Sequence, residues 1–163
     1  MKAGSKKDRV LVIACGMIAR EVLAVKAQLR LDHLDLTCLP AEFHYYPDLI
    51  PPAMDKAIEE AKAQGYRHIL AGYADCGTGG MLDKVLEKQG VERIAGPHCF
   101  AFYQGMSAFE AIGDDDMTTF YMTDFLCRQF DAFFMKPLGL AYEKRRTGYG
   151  DLAPALARAV AAT

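Results

Sequence analysis

Three cysteines of this sequence stand at the ends of short runs of apolar and small residues. They are Cys15, Cys76 and Cys99, and His98 adjoins the last of them. Apolar runs of this length, followed by small residues, predict buried parallel strands. In an open α/β sheet, ligands bind beyond the carboxyl ends of the strands. Three sulfur atoms delivered to that edge, with an imidazole beside them, therefore predict a functional site there.

Metal binding is the first chemistry that this set of side chains suggests. Thiolates and imidazoles bind zinc tetrahedrally and also suit iron. We therefore expect a zinc site, with iron as the alternative, whose ligands are Cys15, Cys76, His98 and Cys99. Neighbouring residues on an extended chain point to opposite faces, so His98 and Cys99 bind one ion together only if the chain turns there. Pro97 favours such a turn, and otherwise only one of the two coordinates.

A reactive thiol is the second chemistry. A cysteine at a helix N-terminus has a lowered thiol pKa, because the helix dipole and free N–H groups favour the thiolate. Both Cys15 and Cys76 precede a glycine in such a predicted position. His44, in an aromatic loop, or His98 would act as the base, and Asp75 would orient a ligand or cap the turn. Inert packing of buried cysteine is the third interpretation.

A glycine-rich turn follows the second of these cysteines. Gly77, Thr78 and Gly79 are candidates for binding an anion or a substrate carboxylate through backbone N–H groups. The alternatives are a tight turn that needs glycine and a helix cap at Thr78. No Gly-Lys-Ser/Thr follows and no G-x-G-x-x-G is present, so neither ATP nor NAD is expected. Glu21, on the first predicted helix, is interpreted as a solvated helix residue.

Apolar periodicity along the chain alternates between strands and helices. Strands are predicted at 9–14, 34–39, 66–73 and 91–95, with a fifth at 118–122, and helices follow 123 and 152. This alternation predicts a doubly wound α/β fold, a mostly parallel Rossmann-like sheet of four to five strands with helices on both faces. We expect a single domain over 1–163, with a flexible N-terminus (1–8) and a variable tail (141–163).

The composition excludes several classes of protein. The chain has 163 residues and a net charge of -2 without a basic stripe, so nucleic acid is not an expected partner. No apolar run suits a membrane span or a signal peptide, so a cytoplasmic location is expected. The 5 cysteines, in a reducing compartment, predict thiols or ligands rather than a disulfide framework. Cys38 and Cys127 are interpreted as packing residues.

Four short segments, Ile13–Gly16, Asp75–Gly77, Pro97–Phe100 and Thr119–Leu126, resemble the family catalogued as domain of unknown function 1638. The similarity covers most of the chain but not the tail after Leu140. Members are often encoded near corrinoid-dependent methyltransferase systems for methylated amines. The resemblance therefore implies one-carbon or methylated-amine metabolism, and it carries over only to the cysteines and the histidine within the first three segments.

These observations predict a metal-binding enzyme, a metal-dependent transferase or hydrolase, that acts on a small-molecule substrate. A homo-oligomer is an open alternative to a monomer, and the resemblance adds a corrinoid protein or methyltransferase as a partner. Two other functions remain open. One is a metal or cofactor carrier with a closed coordination shell, and the other is an enzyme with a cysteine nucleophile.

Overall fold

A four-stranded parallel sheet lies at the centre of the structure, a computed structural model that describes residues 5–113 and 121–137. The strands are β1 (Val10–Cys15), β2 (Leu34–Leu39), β3 (His68–Gly72) and β4 (Glu92–Arg93). Their order across the sheet is β2-β1-β3-β4, and every neighbouring pair is parallel. The predicted α/β fold with a parallel, Rossmann-like sheet is thus confirmed, with four strands.

Helices connect consecutive strands, as parallel pairing requires. The connecting helices are α1 (Ala19–Gln28), α2 (Ile50–Ala63) and α3 (Met81–Gln89), and two further helices, α4 (Ala101–Gln104) and α5 (Met106–Gly113), follow β4. Short 3₁₀ turns precede two of them, at Gly16–Ile18 before α1 and at Pro47–Leu49 before α2. The chain divides into two compact units, Met1–Met117 and Thr118–Thr163, and the sheet belongs to the first.

The main core lies between one face of the sheet and the paired helices α2 and α3. Because side chains alternate along a strand, Ile13 and Ala71, which are partners in the register, share this face. Both are fully buried, as are Met54 and Ile58 of α2 and Leu82 of α3. An apolar stripe on each helix thus packs on the sheet.

The opposite face of the sheet is covered less completely. Val12 and Leu70 are register partners on this face, and α1 packs along β2 near them. No residue of α1 is buried, and its Leu23 and Val25 are each about half exposed. The helix therefore shields this face without closing it, and an apolar cavity remains between α1 and the α4–α5 segment.

The second unit is described only at 121–137. A helix α6 (Asp124–Arg128) begins at Thr123, whose hydroxyl accepts a hydrogen bond from the Leu126 N–H, as predicted for a helix start near 123. A π-helical turn, Asp131–Met135, follows. Of the predicted fifth strand, 121–122 are not in a strand and 118–120 lie outside the described residues. The predicted helix after 152 and the tail at 141–163 also lie outside them, as do residues 1–4 of the predicted flexible N-terminus.

An ion pair at the start of the sheet predicts a stability change in acid. Arg9 donates two hydrogen bonds to Asp35, at 2.5 and 2.6 Å, and the Tyr66 hydroxyl donates a third. These contacts lower the pKa of Asp35 to about 2. The stabilisation is fully present above about pH 4, where an unfolded aspartate is ionised, and is lost as the pH falls through about 2.

We therefore expect Asp35→Asn to lower the free energy of unfolding at pH 7 by roughly 1 kcal/mol, since the carboxylate is partly exposed. Urea unfolding at several pH values measures this, and the difference from the unmodified protein should shrink towards pH 2. Asp48→Asn, at an exposed position, is the control. A difference that stays constant down to pH 2 would contradict the assigned ion pair.

Candidate functional site

The segments that follow β3 and β4 run side by side beyond the sheet. The Asp75 N–H donates to the Gly96 carbonyl at 3.0 Å, and the Cys76 N–H donates to the Pro97 carbonyl at 2.9 Å. These two hydrogen bonds hold the two segments together beyond the last strand residues. They bring Cys76 to the turn that carries Cys99, 23 residues further along the chain.

Cys76 and Cys99 form a close thiol pair. Their sulfur atoms are 3.0 Å apart and share a hydrogen bond. Cys99 is buried, whereas Cys76 is partly exposed. The hydrogen bond with Cys99 lowers the pKa of Cys76, and the same contact together with burial raises the pKa of Cys99. The pair is therefore asymmetric: the thiol pKa is lowered at Cys76, the more exposed residue, and raised at the buried Cys99.

Cys15 lies at the same edge of the sheet but in a different environment. It ends β1, is 5% exposed, and burial raises its thiol pKa to about 11. Beside it, one residue beyond β3, is Tyr73, which is 1% exposed and whose hydroxyl has no hydrogen-bond partner among the described residues. Burial and the neighbouring Cys15 thiol raise the pKa of Tyr73. Both groups are consequently neutral at pH 7.

Two histidines complete one wall of the site. The rings of His44 and His98 contact each other edge to face, with centroids 5.4 Å apart, and His98 lies 4.5 Å from the ring of Phe100. Burial lowers the pKa of His44, and burial together with His44 lowers that of His98 to about 4. The Phe100 N–H donates to Nδ1 of His98, which assigns the proton of the neutral ring to Nε2. His98 would have to give up this hydrogen bond to use Nδ1 as a ligand atom.

A small cavity joins these side chains, so the predicted residues converge from separate elements. It is lined by the three cysteines, the two histidines and apolar neighbours, namely Cys15, Met17, Ile18, His44, Ile50, Tyr73, Cys76, His98, Cys99 and Phe100. Its volume is about 10 Å³, enough for a single water at most. Anything larger must reach the sulfur atoms from the exposed side of Cys76.

The glycine-rich turn is filled by its own carboxylate. Asp75 accepts hydrogen bonds from the Thr78 hydroxyl at 2.9 Å, the Gly80 N–H at 2.9 Å and the Gly79 N–H at 3.2 Å. These donors are the ones that an external anion would use. They also lower the pKa of Asp75. Asp75, predicted as a catalytic or orienting residue, therefore holds the turn, in which Cys76, Gly77, Gly79 and Gly80 all have a positive φ.

In the described part of the chain, no three His, Cys, Asp or Glu side chains are grouped so that they could hold one metal ion. Two zinc-bound thiolates lie about 3.8 Å apart, as follows from Zn–S bonds of about 2.3 Å at a tetrahedral angle. The observed pair, at 3.0 Å, is closer than that. Cys38 and Cys127, interpreted as packing residues, do not line the cavity.

Sequence reasoning missed Tyr73. Tyr73 is the last residue of the predicted strand 66–73, and a tyrosine in a buried apolar strand is ordinarily interpreted as core. The signal lay in the register, because Cys15 at the end of β1 and Tyr73 just after β3 lie on the same face of neighbouring parallel strands. That register is available only once the strands are paired.

The fold and this geometry define an α/β protein with thiols and imidazoles clustered at the carboxyl edge of a parallel sheet. The chain belongs to the protein family of unknown function DUF1638, whose family model matches residues 38–153. The matched span contains Cys76, His98 and Cys99, whereas Cys15 precedes it. No curated protein and no solved structure matches the chain.

Within residues 5–113 and 121–137, no helix has both the length and the apolar character needed to cross a bilayer.

Proposed function

We propose that this protein is a thiol-dependent enzyme whose working groups are the Cys76 and Cys99 sulfur atoms, and that it exchanges thiols with a small-molecule disulfide. The observation that carries this proposal is the 3.0 Å approach of the two sulfur atoms at the carboxyl edge of the sheet. A disulfide needs the sulfur atoms about 1 Å closer, which is a small side-chain movement. Disulfide formation also needs only these two sulfur atoms, whereas a metal site would need further ligands.

The division of roles follows from exposure and charge. Cys76 is the more exposed residue of the two and has the lower thiol pKa, so in this proposal its thiolate attacks the substrate. Its sulfur bonds to one sulfur of the substrate disulfide, the substrate S–S bond breaks, and the first substrate thiolate leaves. The Cys99 thiol gives up its proton to that leaving group. The Cys99 thiolate then attacks the Cys76 sulfur and expels the second substrate sulfur as a thiolate, so one substrate disulfide becomes one thiol and one thiolate and one protein disulfide forms.

The neighbouring side chains support this exchange. Neutral His44 and His98, together with Phe100, form an aromatic wall that limits water around the sulfur atoms. Burial lowers the pKa of His44, so its ring stays neutral beside the thiol pair. Asp75 acts through the turn that positions Cys76.

Thiol quantification in glutathione buffers tests this function. Protein equilibrated at stepped ratios of reduced to oxidised glutathione is quenched with iodoacetamide and mapped by peptide mass. We expect Cys76 and Cys99 to become protected together, reversibly, as one intramolecular disulfide. Cys99→Ser should stop at a glutathione adduct on Cys76, and Cys127→Ser should behave like the unmodified protein. Full alkylation of both cysteines in every buffer would refute the exchange.

Metal binding by the same cluster is the second candidate. It is favoured by the donor set around the cavity, three thiols and two imidazoles, and by the orphaned hydroxyl of Tyr73. Zinc, or iron, would be held by Cys15, Cys76, Cys99 and His98 after the close pair opens by about 0.8 Å. Zinc would supply a Lewis acid or a bound thiolate for a transferase or hydrolase reaction.

Metal analysis of protein purified under reducing conditions separates the two candidates. One equivalent of zinc or iron that is lost in both Cys76→Ser and Cys15→Ser would favour the metal centre. The glutathione experiment would then show both sulfur atoms protected without a disulfide. Cys15→Ser distinguishes the candidates most sharply, because thiol exchange between Cys76 and Cys99 does not use Cys15.

The biological setting proposed for either candidate comes from the family resemblance. We place the protein in one-carbon or methylated-amine metabolism, in the cytoplasm, acting on a small molecule. A corrinoid protein or a methyltransferase is the partner that this setting suggests. Co-purification with such a partner, lost on replacement of Cys76, would support the link between the site and that metabolism.

A further inference from the structure

A second cavity lies on the other face of the sheet, away from the thiol pair. Its floor includes Val12 and Leu70, and its walls come from α1 and the α4–α5 segment, including Val22 and Phe102. Its volume is about 540 Å³, within the range of small-molecule sites. Cys15 and Tyr73 belong to the opposite face of the sheet, so the two cavities are separate. Ile18 is the residue that borders both.

The lining of this second cavity is almost wholly apolar. Aliphatic and aromatic side chains from three strands and three helices form it, and the charged residues among them are Glu21 and Lys26. The ammonium of Lys26 acts on Asp35, whose pKa it helps to lower. Glu21 is thus the acidic group that the cavity presents to an occupant.

Glu21 carries an unsatisfied oxygen. Its Oε2 atom is buried and has no hydrogen-bond partner among the described residues. A carboxylate oxygen withdrawn from water without a donor is costly, because the lost hydration is not replaced. Glu21 lies in the first turn of α1, and the interpretation of it as a solvated helix residue does not fit this position. A donor that enters the cavity would satisfy this oxygen.

We propose that this cavity binds an organic amine, a ligand with an apolar body and one ammonium group that donates to Glu21. The apolar body would pack between Val22, Phe102 and the sheet, and the ammonium would form a charge-assisted hydrogen bond with the carboxylate. This proposal does not depend on the function assigned to the thiol pair. It adds a site of different chemistry on the other face of the sheet.

Binding of hexylamine, compared with 1-hexanol and hexanoate, tests the proposal. Isothermal titration calorimetry should show one hexylamine bound per chain, at least about tenfold more tightly than hexanol, because only the amine carries a charge opposite to that of Glu21. Glu21→Gln should abolish this preference for the amine over the alcohol. Glu59→Gln, at an exposed position on α2, should retain it.

Two further measurements locate the occupant. Val22→Phe, which fills part of the cavity, should weaken hexylamine and hexanol alike, and a retained affinity would overturn the proposed position. Sedimentation velocity addresses a second copy of the chain as the occupant. A dimer that Val25→Asp dissociates and hexylamine leaves intact would overturn the proposal, as would equal binding of amine and alcohol. A monomer with saturable, Glu21-dependent amine binding would support it.

Discussion

Replacing Cys76 by serine is expected to remove the fast-reacting thiol of this protein. The reason is the asymmetry of the pair, since Cys76 is the partly exposed sulfur and its contact with Cys99 lowers its thiol pKa. Cys15 is buried with a pKa of about 11, so it cannot substitute at neutral pH. We expect the rate of the fastest alkylation by iodoacetamide to fall at least about a hundredfold in Cys76→Ser.

The pH dependence of that reaction gives a second, independent readout. Because only the thiolate reacts, the alkylation rate of Cys76 should rise with pH, and the midpoint of the rise should lie below the ordinary pKa of a free cysteine. In Cys99→Ala, the rise should shift to higher pH, since alanine has no group that can donate a hydrogen bond to the Cys76 sulfur. Cys38→Ser serves as the control at a cysteine outside the cavity. A fastest thiol that maps to any cysteine other than Cys76 would contradict the assignment.

Replacing Asp75 by alanine is expected to disturb the turn that presents Cys76. The substitution removes three hydrogen bonds and leaves the Thr78 hydroxyl, whose residue is 1% exposed, without its partner. An orphaned buried hydroxyl costs about 1–3 kcal/mol, so we expect the free energy of unfolding to fall by roughly 2 kcal/mol. The turn should also hold Cys76 less firmly against Cys99.

The effect on the cysteines separates a positioning role from a purely structural one. In Asp75→Ala, formation of the Cys76–Cys99 disulfide in glutathione buffers should slow, even under conditions where the variant is folded. Asp75→Asn keeps one acceptor oxygen and should recover part of both stability and exchange rate. A variant that is less stable yet forms the disulfide at the original rate would show that Asp75 supports the fold alone.

The fold could be predicted from sequence because its signals are local. Runs such as Val10–Ala14 are too apolar for an exposed strand, and alternation with helices then predicts a parallel sheet. The short β4, Glu92–Arg93, was predicted longer, over 91–95. The strand stops there because the chain turns towards Gly96, whose carbonyl accepts a hydrogen bond from the segment that follows β3. Where a strand stops depends on such tertiary partners, which a propensity pattern does not contain.

The site was predictable as a set of residues but not as an arrangement. Strand-end placement predicts that Cys15, Cys76 and Cys99 gather at one edge, yet it carries no distances. The 3.0 Å pair depends on how two loops run together beyond the sheet. The glycine turn shows the same limit, since Asp75 supplies the anion that the pattern had suggested would come from outside. A carboxylate within the turn competes with an external anion for the same hydrogen-bond donors, and the sequence pattern alone does not show which of them is bound.

The backbone at Cys76 has a further consequence for engineering. This residue adopts a φ of 49°, in the left-handed region that glycine occupies freely and side-chain-bearing residues enter at a cost. Cys76→Gly would therefore relieve local strain while deleting the sulfur. Selection of variants for heat resistance alone should therefore favour glycine at this position, and the resulting stable proteins would lack the Cys76 sulfur.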